Sequence, residues 1–269
     1  MVRVGVLGAG GRMGQAVCRA VSEDPELALV AAVDPRLAGI DLRQVIGGDA
    51  EGVQMGASLD ELQRTGAEVA VDFTVATSAV SNMRWCAEHE VHGVVGTTGI
   101  SPEDVAALSS AFTRSRANCV VAPNFAIGAV LMMRFCALAA PYMTGVEIIE
   151  LHHDAKVDAP SGTSLRTAQL MDEARTAAGT GPWPPDPTSK VVLAGTRGGR
   201  EPGGVTIHSV RLPGLLAHQE VVFGSSGQIL TIRHDSFDRT SFMPGVLLAV
   251  KEVARRPGLT VGLEALLEF

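Results

Sequence analysis

Through the first part of the chain, short runs of apolar residues alternate with stretches whose apolar positions recur every three or four residues. That alternation predicts β-α-β units around a parallel sheet. Val2 to Leu7 reads as a buried strand, followed by a glycine-rich turn and a helix from Arg12 to Ser22 with Met13, Ala16, Val17, Ala20 and Val21 on one face. Leu27 to Val33 reads as the second strand, ending at Asp34 and stopped by Pro35, which has no amide to offer a ladder. The pattern then recurs. Val69 to Phe73 leads into a helix from Thr77 to His89, and Val91 to Val95 leads through Gly96-Thr97-Thr98-Gly99 to a helix from Pro102 to Arg114 with proline at its start. Cys119 to Ala122 closes the sheet, and the loop Pro123-Asn124-Phe125 leads to an apolar helix from Ile127 to Ala140.

From Val146 the texture changes. Val146 to Leu151, Lys190 to Leu193, Val205 to Arg211, Gln219 to Phe223 and Ile229 to His234 read as strands, with one helix among them from Thr163 to Ala177. Strands that follow one another without intervening helices predict a mixed, largely antiparallel sheet covered on one face by helix, in a second domain. Gly179 to Pro187 holds four prolines and two glycines, so it is expected to be a loop. A final helix from Arg239 to Arg255 and a short tail from Leu259 to Phe269 complete the chain.

Composition narrows the function classes. With 269 residues and 46% apolar content, the chain can bury a sizeable core. A formal net charge of −7 gives no basic footprint for a phosphate backbone, so nucleic acid is not an expected partner. Apolar runs are broken well before the roughly 18 residues a membrane span needs, and no cleavable leader pattern precedes the first strand; a soluble, cytoplasmic protein is expected. Cys18, Cys86, Cys119 and Cys136 are scattered, which suggests core residues rather than a disulfide framework or zinc site.

Two motifs carry chemistry. The first is Gly8-Ala9-Gly10-Gly11-Arg12-Met13-Gly14 between a strand and a helix. Met13 occupies the third position of G-x-G-x-x-G, so G-x-x-G-x-x-G through Gly8, Gly11 and Gly14 fits better. Such a loop offers a tight turn, close backbone approach and an anion site at the helix N-terminus. Asp34, twenty residues after Gly14, ends the next strand, where a carboxylate accepts the ribose hydroxyls of a dinucleotide. A Rossmann-type α/β cofactor domain binding NADH, NADPH or both is therefore expected, joined to the α+β domain. Asp34 disfavours a 2′-phosphate while Arg36 and Arg12 favour one, so NADH use with some tolerance of NADPH is expected. Gly96 to Gly99 and Ala122 to Phe125 stand at strand carboxyl ends, and either ligand loops or ordinary βα turns account for them.

The second motif runs from Glu150 to Thr163. It gathers His152, His153 and Lys156 in a chain with seven histidines, and Ser161-Gly162-Thr163 then opens a helix after Pro160. Acid–base chemistry on an anionic substrate needs a proton donor and cations, and imidazole and ammonium groups are suitable for both. The helix start offers a second anion site. Successive strand residues face opposite sides, so a metal site on His152 and His153 is disfavoured and none is expected. The same alternation constrains the catalytic reading unless the strand ends near His152.

At these residues the sequence resembles the dihydrodipicolinate reductase family, whose signature E-L-H-H-x-x-K-x-D-A-P-S-G-T is matched throughout Glu150 to Thr163. Gly214-Leu215-Leu216-Ala217-His218-Gln219-Glu220 and His234-Asp235-Ser236 extend the likeness over nearly the whole chain, with Ser164 where the family usually has alanine. The resemblance implies a dinucleotide-binding domain from 1–125 and 241–269, and a substrate-binding and oligomerisation domain from 126–240. It further implies a homotetramer and hydride transfer to a cyclic imine dicarboxylate in lysine and diaminopimelate biosynthesis, with domain closure over the reactants. His152 and Lys156 would then be catalytic, and His153, Gly162 and Thr163 would bind substrate. Gly8, Ala9, Gly10, Gly11, Arg12, Met13, Asp34, Gly96, Thr97, Thr98, Ala122, Pro123, Asn124 and Phe125 would line the cofactor. A non-catalytic dinucleotide sensor is the alternative. The Tyr-x-x-x-Lys acid of short-chain dehydrogenases is absent, since Val146 follows Tyr142 at that spacing.

Overall fold

The computed structural model describes residues 1–47, 50 and 52–267. It divides into two compact units, Met1–Ile127 with Arg239–Phe269, and Gly128–Asp238. The first unit begins with β1 (Val2–Leu7), α1 (Arg12–Glu23) and β2 (Leu27–Val33). It continues through α2 (Arg43–Ile46), β3 (Met55–Gly56), α3 (Asp60–Thr65), β4 (Val69–Asp72), α4 (Ala76–Glu88), β5 (His92–Val95), α5 (Pro102–Thr113) and β6 (Cys119–Val121). Then α6 (Ile127–Ala139) leads out of it.

The second unit carries β7 (Gly145–His152), α7 (Gly162–Ala177), β8 (Gly199–Arg200), β9 (Thr206–Arg211), β10 (Ala217–Ser225) and β11 (Gln228–Ser236). The chain returns to the first unit with α8 (Met243–Glu252) and β12 (Leu259–Val261). Among the described residues no helix is long and apolar enough to cross a membrane.

In the first unit seven strands lie in the order β12-β6-β5-β4-β1-β2-β3, and every pairing is parallel. Parallel strands between helical layers are buried on both faces, which is why β4 reads Val-Ala-Val-Asp with all four residues buried. The helices supply matching stripes: α1 buries Gly14, Val17, Cys18 and Val21, spaced at the helical repeat. Ser101 caps α5 by accepting from the Asp104 amide, and Pro102 starts it, so the helix begins where the sequence places it. Leu7, Leu62, Met83, Leu108, Phe112 and Val121 pack in one core, each fully buried large side chain contributing about 1.5–3 kcal/mol. The four cysteines are buried free thiols.

Three sequence expectations need correction. Lys190 to Leu193 is not a strand, and Val191, Val192 and Leu193 are exposed. The edge beside β9 is taken by β8 instead, and just before β8 Arg197 pairs with Glu147 on β7 at 2.5 Å. The final helix is interrupted: a 3-10 turn, Arg239–Phe242, precedes α8, and a second, Val253–Arg255, follows it. Pro244 explains the first break, since its missing amide suits only the opening turn of an α-helix. The tail from Leu259 is no mere tail, for β12 pairs with β6; residues 268 and 269 lie outside the described residues.

Asn118 anchors that return. Its Nδ2 donates to the Val253 and Ala254 carbonyls at 3.1 and 3.0 Å, and its Oδ1 accepts from the Gly258 amide at 3.0 Å.

The second unit holds a five-stranded mixed sheet in the order β11-β10-β7-β9-β8. Only β7 and β9 are parallel, and their register sets His152 opposite Arg211 and Glu150 opposite Ser209. Helix α7 buries Ser164, Thr167, Ala168, Met171 and Arg175. Arg175 donates to the Ala140 and Met143 carbonyls and lies 3.9 Å over the Trp183 ring, which docks the proline-rich loop onto the helix.

Candidate active site

At the carboxyl end of β1 the chain turns sharply. Gly8 adopts φ +74°, open to glycine without strain, and a Cβ on Gly14 would stand 2.1 Å from the Gly8 carbonyl oxygen. The turn is closed by the Gly8 and Ala9 amides, both donating to the Val33 carbonyl, and by the Gly11 amide donating to Gly8. Gly11 then caps α1 without a side-chain hydrogen bond, and no acidic residue enters the first turn. The helix start therefore keeps backbone donors and dipole for an anion, and the turn fits a dinucleotide pyrophosphate.

Asp34 stands beside this turn. Its carboxylate accepts from the Gly10 amide at 3.2 Å, from the Arg36 amide at 3.1 Å, and from the Arg36 guanidinium at 3.2 Å. Burial alone would raise its pKa, but these donors, Arg36 foremost, hold the carboxyl below its ordinary range. The acid and the base that argue for opposite dinucleotides are thus paired with each other, and Arg36 remains 81% exposed.

The predicted loops gather along the same sheet edge. The strand order reverses between β1 and β4, the point where open parallel sheets bind ligands. Gly96 donates to Asp72, the Thr97 hydroxyl to the Thr74 carbonyl at 3.4 Å, and Ala122 to Val95. Phe125 is buried with its ring 5.9 Å from that of Phe73. Thr98 and Pro123 are exposed at the rim. Sequence reasoning passed over the loop after β4. There buried Asp72 accepts from the Thr74 amide and hydroxyl at 2.8 and 2.6 Å and from Asn82 at 2.7 Å, so Phe73 and Thr74 are held against Gly8. The available signal was an acid closing an apolar strand before a threonine-rich turn.

In the second unit β7 ends at His152, and the turn that follows is closed by the Lys156 amide donating to the His153 carbonyl. His152 and His153 are thus not consecutive residues inside a continuing strand. The His152 Nδ1 lies 2.5 Å from Oε2 of Glu150, a residue with no exposed surface. Burial pushes the Glu150 pKa up, but hydrogen bonds from His152, Arg211 and Ser209 outweigh it and bring it down to about 2. Arg211 grips both carboxylate oxygens, each at 2.8 Å, and also donates to the Asp158 carbonyl at 2.6 Å. Neither Glu150 nor Arg211 was picked out from sequence as a site residue. Lys156 Nζ holds the exposed Asp158 carboxylate at 2.7 and 2.8 Å, which lowers the Asp158 pKa.

Ser161 caps α7 by accepting from the Ser164 amide. Ser164 is more than a small filler: its hydroxyl donates to Gln219 of β10 at 2.8 Å, and Gln219 donates to Thr167 at 2.8 Å. This buried chain pins the helix start, where Gly162 faces open space and Thr163 is half-buried. The structure thus brings His152, His153, Lys156, Gly162 and Thr163 into one strand-turn-helix segment of the second unit, while the glycine turn, Asp34 and the two loops share an edge of the first.

Comparison with known proteins follows the same division. The family model described as dihydrodipicolinate reductase, N-terminus, matches residues 2–125, and the C-terminus model matches 128–267. The chain belongs to the dihydrodipicolinate reductase family. A 4-hydroxy-tetrahydrodipicolinate reductase of Nocardia farcinica is 51% identical, covering 100% of this chain and 99% of its own. One from Moorella thermoacetica is 47% identical, covering 100% and 98%. The structure of a dipicolinate-bound dihydrodipicolinate reductase from Paenisporosarcina sp. TG-14 superposes with a TM-score of 0.84 at 40% identity, covering 99% of this chain and 100% of that one. The Rossmann-like parallel sheet and second mixed sheet described above are shared with that relative at a level where fold and family agree.

Proposed function

We propose that this chain is a 4-hydroxy-tetrahydrodipicolinate reductase, reducing a cyclic imine dicarboxylate to tetrahydrodipicolinate in lysine and diaminopimelate biosynthesis. The observation that carries the reading is the segment Glu150 to Thr163, which joins a carboxylate-backed imidazole, an ammonium group and a capped helix start in one stretch. NADH or NADPH, when bound, supplies the hydride. Gly8 to Met13 hold its pyrophosphate, Asp34 accepts from the ribose, and Gly96 to Thr98 with Ala122 to Phe125 line the remaining length. His152 delivers the proton that the reduced ring requires, and Lys156 acts as a second proton donor. His153 and the Gly162 and Thr163 amides orient the carboxylates. The ring diacid held by the Paenisporosarcina relative supports a small dicarboxylate as substrate.

Exposed Ile229 and Leu230 on β11 support assembly through the sheets of the second unit; a homotetramer in the cytoplasm is the state we propose on the family resemblance.

The test is oxidation of NADH and, in parallel, NADPH by the purified protein with freshly generated cyclic imine. Turnover with one or both is expected; dinucleotide binding without any turnover would favour a sensor instead. Asp34→Ala is expected to weaken NADH by roughly tenfold or more, the scale of a hydrogen bond to a charged group. NADPH should lose less, because Arg36 is then released from its partner to meet a 2′-phosphate. Equal losses in the two dissociation constants would remove Asp34 from ribose recognition.

A further inference from the structure

The geometry points to a positioning role for Glu150 and Arg211, which we infer fix the tautomer and direction of the His152 ring and tie it to the loop carrying Lys156. The inference rests on His152 being the proton donor proposed above. Glu150 and His152 are two residues apart on β7, so their side chains share a face. An ionised carboxylate only accepts hydrogen bonds, so the ring nitrogen 2.5 Å from Glu150, Nδ1, must carry the hydrogen. That leaves Nε2 as the nitrogen that takes up and releases a proton toward substrate.

Glu150 itself cannot turn away. Arg211 holds both its oxygens at 2.8 Å in a two-point clamp, and the parallel β7–β9 register that sets Arg211 opposite His152 keeps the clamp in place. The same guanidinium donates to the Asp158 carbonyl at 2.6 Å, in the loop where Lys156 meets Asp158. One arginine therefore links both proposed acids. The sheet alone does not require this arrangement: a buried ion pair seldom stabilises more than apolar residues of similar volume, so an acid fully buried behind an imidazole points to control of that imidazole.

A substitution cycle tests the proposal. Glu150→Gln places an amide NH₂ against either Arg211 or His152, whichever way it turns, and is expected to lower kcat by roughly tenfold or more while NADH binding persists. In a His152→Ala background the same substitution should change kcat by less than about twofold, because residues acting as a unit are not additive. The ¹⁵N spectrum of the His152 ring should report hydrogen on Nδ1 in the parent protein and its loss or redistribution in Glu150→Gln. Equal kcat losses in both backgrounds would mark a merely structural role and overturn the proposal, as would unchanged kcat in Glu150→Gln. Should Glu150→Gln not fold, Arg211→Lys carries the same cycle, since it leaves the carboxylate and loosens only its clamp; unchanged kcat there is equally fatal. A normal kcat in His152→Ala would instead overturn the catalytic reading, and this inference with it.

Discussion

Replacing His152 by alanine, and separately Lys156 by alanine, is expected to lower turnover by roughly 10² or more while NADH affinity stays within about twofold. The scale is that of a general acid lost from the transition state. The separation of effects follows from the chain's organisation. Both side chains belong to the strand-turn-helix segment of the second unit, whereas the glycine turn, Asp34 and their loops belong to the first. Lys156 is not locked away by its partner. Asp158 is 56% exposed, and a pair of that kind contributes little in water, so the ammonium can exchange Asp158 for a substrate group at small cost. His152 is 16% exposed, enough for one ring edge to reach solvent or ligand. Near-normal steady-state turnover in both variants would refute the assignment, and parallel losses of turnover and NADH affinity would mean that the substitutions disturb folding rather than chemistry.

Much of the first unit was legible because buried parallel strands leave a simple trace. Leu27–Val33 is apolar on both faces, Val2–Leu7 and Val69–Asp72 are so apart from Arg3 and the closing Asp72, and the helices between them keep an apolar stripe at the helical repeat. The elements that escaped are those whose pairing is decided by tertiary contacts. Met55–Gly56 is two residues long, and Leu259–Val261 is fixed to β6 with the help of Asn118, more than a hundred residues earlier. Lys190–Leu193 failed for the opposite reason. Its composition favours a strand, but strand propensity reflects packing against neighbours, and here the neighbouring edge belongs to β8.

The candidate site divides in the same way. His152, His153, Lys156, Gly162 and Thr163 lie in one contiguous stretch, so a dense cluster of reactive types was enough to single them out as candidates. Glu150 was inside that stretch, yet nothing in its letter says that it is buried and clamped. Arg211 lies 61 residues beyond Glu150 and meets it only through the β7–β9 register, which no local pattern encodes. Asp72 is similar: an acid that closes an apolar strand reads as a strand end, and its three hydrogen bonds appear only once the loop after β4 has folded back.

That clamp also has a consequence for stability. Arg211→Met should destabilise the protein by about 3–5 kcal/mol at pH 7, since removing one partner leaves a buried carboxylate without its cation. The loss should shrink in acid. Glu150 is held at about 2 in the folded protein against 4.5 ordinarily, so below about 4.5 the unfolded chain takes up the proton first and stability falls with pH. The contribution is complete above 4.5 and lost as pH falls through 2, and the full displacement is worth about 3 kcal/mol. Without Arg211, burial is no longer outweighed to the same degree and Glu150 protonates at higher pH. The parent protein and Arg211→Met should therefore be far apart in urea midpoint at pH 7 and approach each other between pH 4.5 and 2. Asp34 and Asp235, whose depressed pKa values owe nothing to Arg211, contribute acid sensitivity to both proteins alike and cancel in the difference, whereas Asp158, lowered chiefly by Lys156 and in small part by Arg211, adds to it. A gap that is the same at pH 7 and pH 3 would show that Arg211 stabilises by packing its stem rather than by holding a charge.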